Sequence, residues 1–380
     1  MRILIFEPLL IGHHLEYLHH IYLGAIRATK NTFVFAVPRK EWEIKRTNYV
    51  WPEGENIEWL ALDDEECEYT NRGNLFIKSL RLSVFIRRIA IQVNVQRIFL
   101  IQLANAVPFL PLMLPGNMTL TGIIYKIYLR SNKRGIRKAL EKIRYTIMAH
   151  SKNMERAFIL NDSKSAKTLN STYHTHKFLP LADPVPGLDG MEIQDLKESF
   201  EIPDGSIIFL HFGAMEERKG TLLILEALSL MPQEKLKNKY FIFAGCVGED
   251  IKSRFYSLID SLKSKGTGIR IIDGFCSYEM LNSLCKTSDC ILIPYLLTDL
   301  SSGALGYAAV HDKPVIGPSV GLIGELIREN GLGQTLGDIS AKTLSEAIDS
   351  FIPHPIHSEY VEKNSRDSFI NTIIKSLTTS

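Results

Sequence analysis

The chain is predicted to be an α/β protein made of two doubly wound, Rossmann-like parallel sheets facing a cleft. Three observations lead there. Short apolar runs rich in Ile, Val and Phe alternate with helical patterns along the whole chain, as expected of strands buried on both faces. A Pro- and Gly-dense segment divides the pattern near its middle. The 380 residues suit two domains, and 45% hydrophobic with 23% charged residues is an ordinary globular composition. That balance excludes a disordered chain, a collagen-like repeat and a multi-span membrane protein.

Taken in order, residues 2–6, 32–37, 97–101 and 157–160 read as strands of the first half, and 207–212, 240–244, 269–272, 290–293 and 314–316 as strands of the second. Residues 221–230, 251–263, 277–286 and 302–311 read as intervening helices. Strand–helix–strand alternation implies parallel pairing with right-handed crossovers. The stretch 98–125 carries no charge and is long enough to cross a bilayer. Gln102, Asn105, Pro108, Pro111, Pro115, Gly116 and Asn117 interrupt it, so it reads as buried strands and loops. Residues 59–69, with Asp63, Asp64, Glu65 and Glu66, read as an exposed turn and not as a metal site. Residues 179–187 read as the linker.

Charge is unevenly spread. Residues 69–183 hold 19 Lys/Arg and 4 Asp/Glu, a local +15 in a chain whose net charge is +2. The densest part contains Lys126, Arg130, Lys133, Arg134, Arg137, Lys138, Lys142 and Arg144. Such a half suits either a solvated helix face or an anionic partner, lipid or phosphorylated acceptor. Nucleic acid is not expected, because no recognisable binding motif accompanies the charge. The first apolar run is too short for a signal peptide. Five cysteines without a CxxC pair argue against a disulfide framework or structural zinc. A reducing, cytoplasmic setting is expected.

The segment His211–Thr221 follows one strand and opens a helix. Gly213 lets backbone approach a ligand, the helix start offers free N–H groups to a phosphate, and Arg218 and Lys219 add cations. A plain strand–helix turn with surface charges is the alternative. Near the start of the last predicted helix, Ser301, Ser302 and Gly303 suit both an N-cap and a phosphate cradle.

Gly213 followed by Lys219-Gly220 and the apolar run Leu222–Ala227 resembles the nucleotide-sugar-binding domain of GT-B glycosyltransferases, in the retaining group 1, family-4-like class. Phe241–Gly245, Ile271–Ser277, Ser288–Pro294, Lys313–Gly317 and Gly321–Glu325 are similar to further motifs of that family, in the family's order. The resemblance spans about residues 200–345 and is loose before 180. It implies the GT-B fold, with an acceptor-side domain over 1–185, a nucleotide-sugar-binding domain over 186–358, and a last helical pattern (359–377, within 359–380) crossing back to the first. It implies that Gly213, Arg218, Lys219, Ser301, Ser302 and Gly303 bind the donor diphosphate. Gly245, Gly274, Phe275 and Tyr307 would meet the nucleoside. No metal or other cofactor is implied, since cations and helix starts stabilise the leaving diphosphate.

The sequence also departs from the family. Two glutamates eight positions apart mark the family's donor loop. The matching positions here are Asp299, which keeps a carboxylate for the donor sugar, and Tyr307, whose phenol makes one hydrogen bond or stacks. Ala214 stands where the family has an arginine.

In the first half, Gly12 lies where the family has a glycine-rich turn, and His13 or His14 is expected to bind an acceptor hydroxyl or move a proton. Asn105 follows a predicted strand end and is a candidate acceptor contact. The expected function is transfer of a sugar from a UDP- or GDP-sugar to a saccharide, lipid-linked, in polysaccharide assembly at the inner membrane face. Two rivals are a degenerate GT-B binding subunit, signalled by Tyr307 and Ala214, and a GT-B sugar-nucleotide epimerase or hydrolase.

Overall fold

The computed structural model describes residues 1–10, 13–131, 134–188 and 190–379. The chain divides into two units, Met1–Asp183 with Arg366–Ser380, and Pro184–Ser365.

The first unit holds seven strands: β1 (Arg2–Phe6), β2 (Thr32–Pro38), β3 (Ile57–Leu62), β4 (Arg97–Leu100), β5 (Thr119–Ile124), β6 (Met154–Leu160) and β7 (Phe178–Leu181). They pair in parallel in the order β3-β2-β1-β4-β5-β6-β7. Side chains of a strand alternate between faces, and both faces are apolar here. Leu4 and Phe6 of β1 enter one core, Ile3 and Ile5 the other.

The second unit holds β8 (Ile207–Phe212), β9 (Lys239–Ala244), β10 (Gly268–Ile272), β11 (Cys290–Leu292), β12 (Val315–Pro318) and β13 (Gly333–Leu336). Their parallel order is β10-β9-β8-β11-β12-β13. Again each face has its own core. Leu210 and Ile242 lie in one, Phe209 and Phe241 in the other. In each sheet the chain order reverses beside one central strand, between β1 and β4 and between β8 and β11. The strand ends at such a switch point leave a crevice on the sheet's carboxyl edge.

Three expectations need correction. Residues 59–69 are not a turn: Trp59 lies in β3, and Asp63 caps the helix Asp64–Thr70 by accepting from Glu66 N–H at 2.9 Å. Asp64, Glu65 and Glu66 fill its first turn, where carboxylates complement the helix dipole. The expected linker 179–187 begins inside β7. Pro180 is tolerated there because β7 is an edge strand, where a missing N–H breaks no central ladder. Finally, the pattern 359–377 is two helices, Tyr360–Lys363 and Arg366–Thr378. Between them Asn364 is buried, and its carbonyl accepts from Val185 N–H at 2.9 Å.

The uncharged stretch 98–125 folds into β4, a 3₁₀ turn at Leu103–Ala106, the short helix Phe109–Met113 and β5. No helix among the described residues is long and apolar enough to cross a membrane.

Helix Arg366–Thr378 buries Phe369, Ile370, Ile373 and Leu377 in the core that also takes Leu18, Ile21 and Ala25 of helix His14–Arg27. Gly24 makes the crossing close: a Cβ there would sit 2.5 Å from Ile370 Cγ2 and 2.6 Å from Ile374 Cγ1. Gly24→Val is therefore expected to lower stability by about 1–3 kcal/mol through overpacking. Gly116→Ala, which meets nothing within 4 Å, should stay within about 0.5 kcal/mol. Urea unfolding of both variants checks this.

Candidate active site

The glycines of the second unit meet at the ends of three adjacent strands. Gly213 follows β8 with φ +94°, and Gly245 follows β9 with φ +135°. A Cβ on Gly245 would overlap the Gly213 carbonyl. Gly213 N–H donates to Ala244 C=O at 2.9 Å, Gly245 N–H to Ile272 C=O at 2.8 Å, and Gly274 N–H to Gly245 C=O at 3.3 Å. Bare backbone is thus presented along this edge of the sheet.

Lys219 reaches back over it. A Cβ on Gly213 would lie 2.8 Å from the Lys219 ammonium. That ammonium sits 5.4 Å from the centre of the Tyr295 ring. The Tyr295 hydroxyl lies 3.4 Å from Ser302 Oγ, which donates to it. Ser302 caps the helix Gly303–Val310 by accepting from Ala304 N–H at 3.3 Å. Gly213, Lys219, Tyr295 and the Ser302–Gly303 helix start therefore form one continuous polar wall, at the β8/β11 switch point. Among the described residues no carboxylate pairs with Lys219, so its charge is available to an anion.

Two glycines hold this wall in register. Gly220, with φ +71°, opens helix Thr221–Leu230 so close to Pro294 that a Cβ would overlap its carbonyl. Leu296 N–H donates to the Arg218 carbonyl at 2.9 Å. Farther along the same loop, Thr298 C=O accepts from Leu322 N–H at 2.7 Å, and Gly321 leaves room for it. Beneath lies His211, fully buried, with Nδ1 at 2.9 Å from Leu292 C=O and Nε2 at 2.9 Å from Thr221 Oγ1. Because the carbonyl only accepts, Nδ1 carries the hydrogen and Nε2 accepts from Thr221. Burial pushes this imidazole down to about 4, against the opposing Leu292 hydrogen bond.

Residues 192–368 match the family model described as glycosyl transferases group 1. That match spans most of the second unit. Among solved structures it resembles a glycosyltransferase from Rickettsia africae ESF-5, at 16% identity and TM-score 0.65, covering 100% of this chain and 99% of that one. WaaG, a glycosyltransferase involved in lipopolysaccharide biosynthesis, aligns at 12% identity and TM-score 0.64, over 99% and 94%. Anabaena Alr3699/HepE, solved in complex with UDP and glucose, aligns at 13% identity and TM-score 0.64, over 100% and 99%. At these identities the solved structures show the fold, which is GT-B. No curated protein matches the chain.

Not every residue singled out in the sequence joins the wall. Arg218 projects to Glu216, pairing Nε with Oε2 at 2.5 Å, and is half exposed. Asp299 and Ser301 lie partly buried in the loop that precedes Ser302. Tyr307 points into the core from helix Gly303–Val310, 6% exposed and edge-on to Phe212 at 5.4 Å. Phe275, by contrast, is 85% exposed on the loop after β10. Tyr295 went unnoticed in the sequence. Its signal was its place directly after Pro294, as the first side chain past the β11 run.

In the first unit, Gly12 lies outside the described residues. His13 is exposed, 3.4 Å from Glu16 Oε2. His14 is turned inward, with Nδ1 3.1 Å from Leu9 C=O and 3.2 Å from Glu7 Oε1. Asn105 is exposed and donates to Gln102 Oε1 at 2.7 Å. Among the described residues no group of three or more His, Cys, Asp or Glu is placed to hold a metal ion.

The neutral His211 has a thermodynamic signature. Its folded-state value lies below the ordinary 6.5, so the unfolded chain binds the extra proton and stability falls as pH drops from about 6.5 toward 4. Between pH 7 and pH 5 this group is expected to cost about 2 kcal/mol. Denaturant midpoints of wild type and His211→Gln across that range should converge on acidification. Parallel curves would contradict the buried neutral imidazole.

Proposed function

We propose that this glycosyltransferase moves a sugar from a nucleoside-diphosphate sugar, UDP- or GDP-linked, onto a saccharide acceptor. The observation that carries the reading is the Lys219 ammonium lying against the bare Gly213 backbone beside the Ser302 helix start. Cleaving the bond between the anomeric carbon and the diphosphate leaves negative charge on phosphate oxygens. A preorganised ammonium and helix-start N–H groups stabilise that charge where it develops. They supply it without a metal ion. Asp299, one turn upstream of the cap, is the acceptor for donor-sugar hydroxyls. The anomeric configuration is retained, with the departing phosphate taking the acceptor proton on the face it leaves.

The acceptor is lipid-linked, in polysaccharide assembly, and the enzyme works peripherally at the cytoplasmic membrane face. This finer reading is supported by helix Gly135–His150, which leaves Ile136, Leu140 and Ile143 exposed at 80%, 56% and 54%. Arg137, Lys138 and Lys142 are exposed on the same helix. An apolar stripe flanked by cations is the pattern of a helix lying in an anionic lipid surface.

Calorimetry with UDP- and GDP-sugars should show nucleotide affinity falling at least tenfold in Lys219→Ala. Undiminished binding would overturn the phosphate wall. Asp299→Asn should lower kcat more than it weakens binding, and equal loss of both would remove it from the sugar contact. Saccharide product separates transfer from hydrolysis or epimerisation, while binding without any turnover would indicate an inert subunit. Flotation with phosphatidylglycerol-containing vesicles should fail for Ile136→Glu/Leu140→Glu and weaken with salt, leaving nucleotide binding unchanged. Wild type that stays with neutral and anionic vesicles alike, or floats with neither, would overturn the membrane reading.

A further inference from the structure

A second constellation lies at the carboxyl end of β1, beside the β1/β4 switch point of the first unit. Glu7 is 1% exposed. Its Oε1 accepts from Leu9 N–H at 2.9 Å and lies 3.2 Å from His14 Nδ1. Its Oε2 is buried with no hydrogen-bond partner among the described residues, as is the hydroxyl of Tyr125. The His14 and Tyr125 rings stack at 6.1 Å and 11°, and Tyr125 stacks in turn on Tyr17 at 6.2 Å and 5°. Tyr17 donates to Asp183. A buried carboxyl group is costly unless its hydrogen bonds are completed, so so inward an acidic group wants an explanation in its neighbour.

The two acceptors facing His14 Nδ1, a carboxylate oxygen and the Leu9 carbonyl, both demand a hydrogen on that nitrogen. We infer that Glu7 is a positioning residue that locks His14 as the Nδ1–H tautomer and leaves Nε2 to accept a hydrogen bond from a substrate hydroxyl. This rests on the sugar-transfer reading and adds to it the residue that sets the imidazole's orientation and proton. Second-partner control of a histidine tautomer is a general device. The groups facing His14 are Glu7 just past β1, Tyr125 just past β5 and His13 at the cap of its own helix, with Tyr17, Asp183 and Glu16 beyond. Burial opposes the charged imidazole, but the Glu7 hydrogen bond and charge outweigh it and raise its pKa.

The sign follows. Acid charges Nε2 and destroys the acceptor, so kcat/KM should fall on an acid limb that tracks the His14 titration. In Glu7→Gln, which is nearly isosteric, that titration should move toward acid, as for loss of an adjacent carboxylate. The acid limb should move with it. Nitrogen-15 NMR of the histidines in the full chain reads both the tautomer and the titration without turnover, and His14→Asn assigns the signal and should abolish the limb. An Nε2–H tautomer in wild type overturns the inference. So does a titration unmoved in Glu7→Gln, or a moved titration with an unmoved limb. Failure of wild type to turn over any sugar nucleotide strikes the transfer reading instead, and the NMR tautomer then decides this one.

Discussion

Two backbones at the ends of β8 and β9 approach more closely than any side chain allows. The Gly245 Cα faces the Gly213 carbonyl where a Cβ would overlap it, and both residues adopt positive φ that glycine alone takes at little cost. The side-chain-free backbone there leaves room for the Lys219 ammonium, and a second close approach, Gly220 against Pro294, starts helix Thr221–Leu230. The polar wall is a consequence of missing side chains as much as of present ones.

The supporting layer is apolar and neutral. His211 bridges β8, β11 and the helix start, but as an uncharged imidazole. A charge there would lie beneath the same surface on which Lys219 supplies the positive field. Specific positive charge is thereby left to a side chain that can move with a ligand, while the frame beneath it carries only hydrogen bonds. The β1 end of the first unit is organised differently. Its groups are acidic and phenolic, the buried Glu7 and Tyr17 and the partly buried Tyr125 and Asp183, gathered around stacked rings. Such a set is suited to hydroxyl recognition and not to phosphate.

Much of the frame was legible in one dimension. Strands buried on both faces leave unbroken Ile, Val and Phe runs, which is why β1, β8 and β9 stand out. Edge strands leave weaker marks: β3 is buried only at Leu62 and exposes Glu58 and Trp59, and β7 contains Pro180, so parts of both were read as turn or linker. Of the residues expected at the donor, Gly213, Lys219, Ser302 and Gly303 do come together, whereas Arg218 is drawn to Glu216 and Tyr307 into the core. Neighbouring residues on a short turn point apart, and their spacing does not say which one faces the ligand.

By itself, the sequence determined the two parallel sheets and the glycines at the strand ends, because burial and backbone freedom are written in residue type and local order. Only the tertiary structure decided which cation faces the glycines, that Tyr295 links Lys219 to Ser302, and that His14 rather than His13 turns toward Glu7. Those choices depend on what packs behind each side chain, and the residues doing that packing lie tens of positions away in the chain.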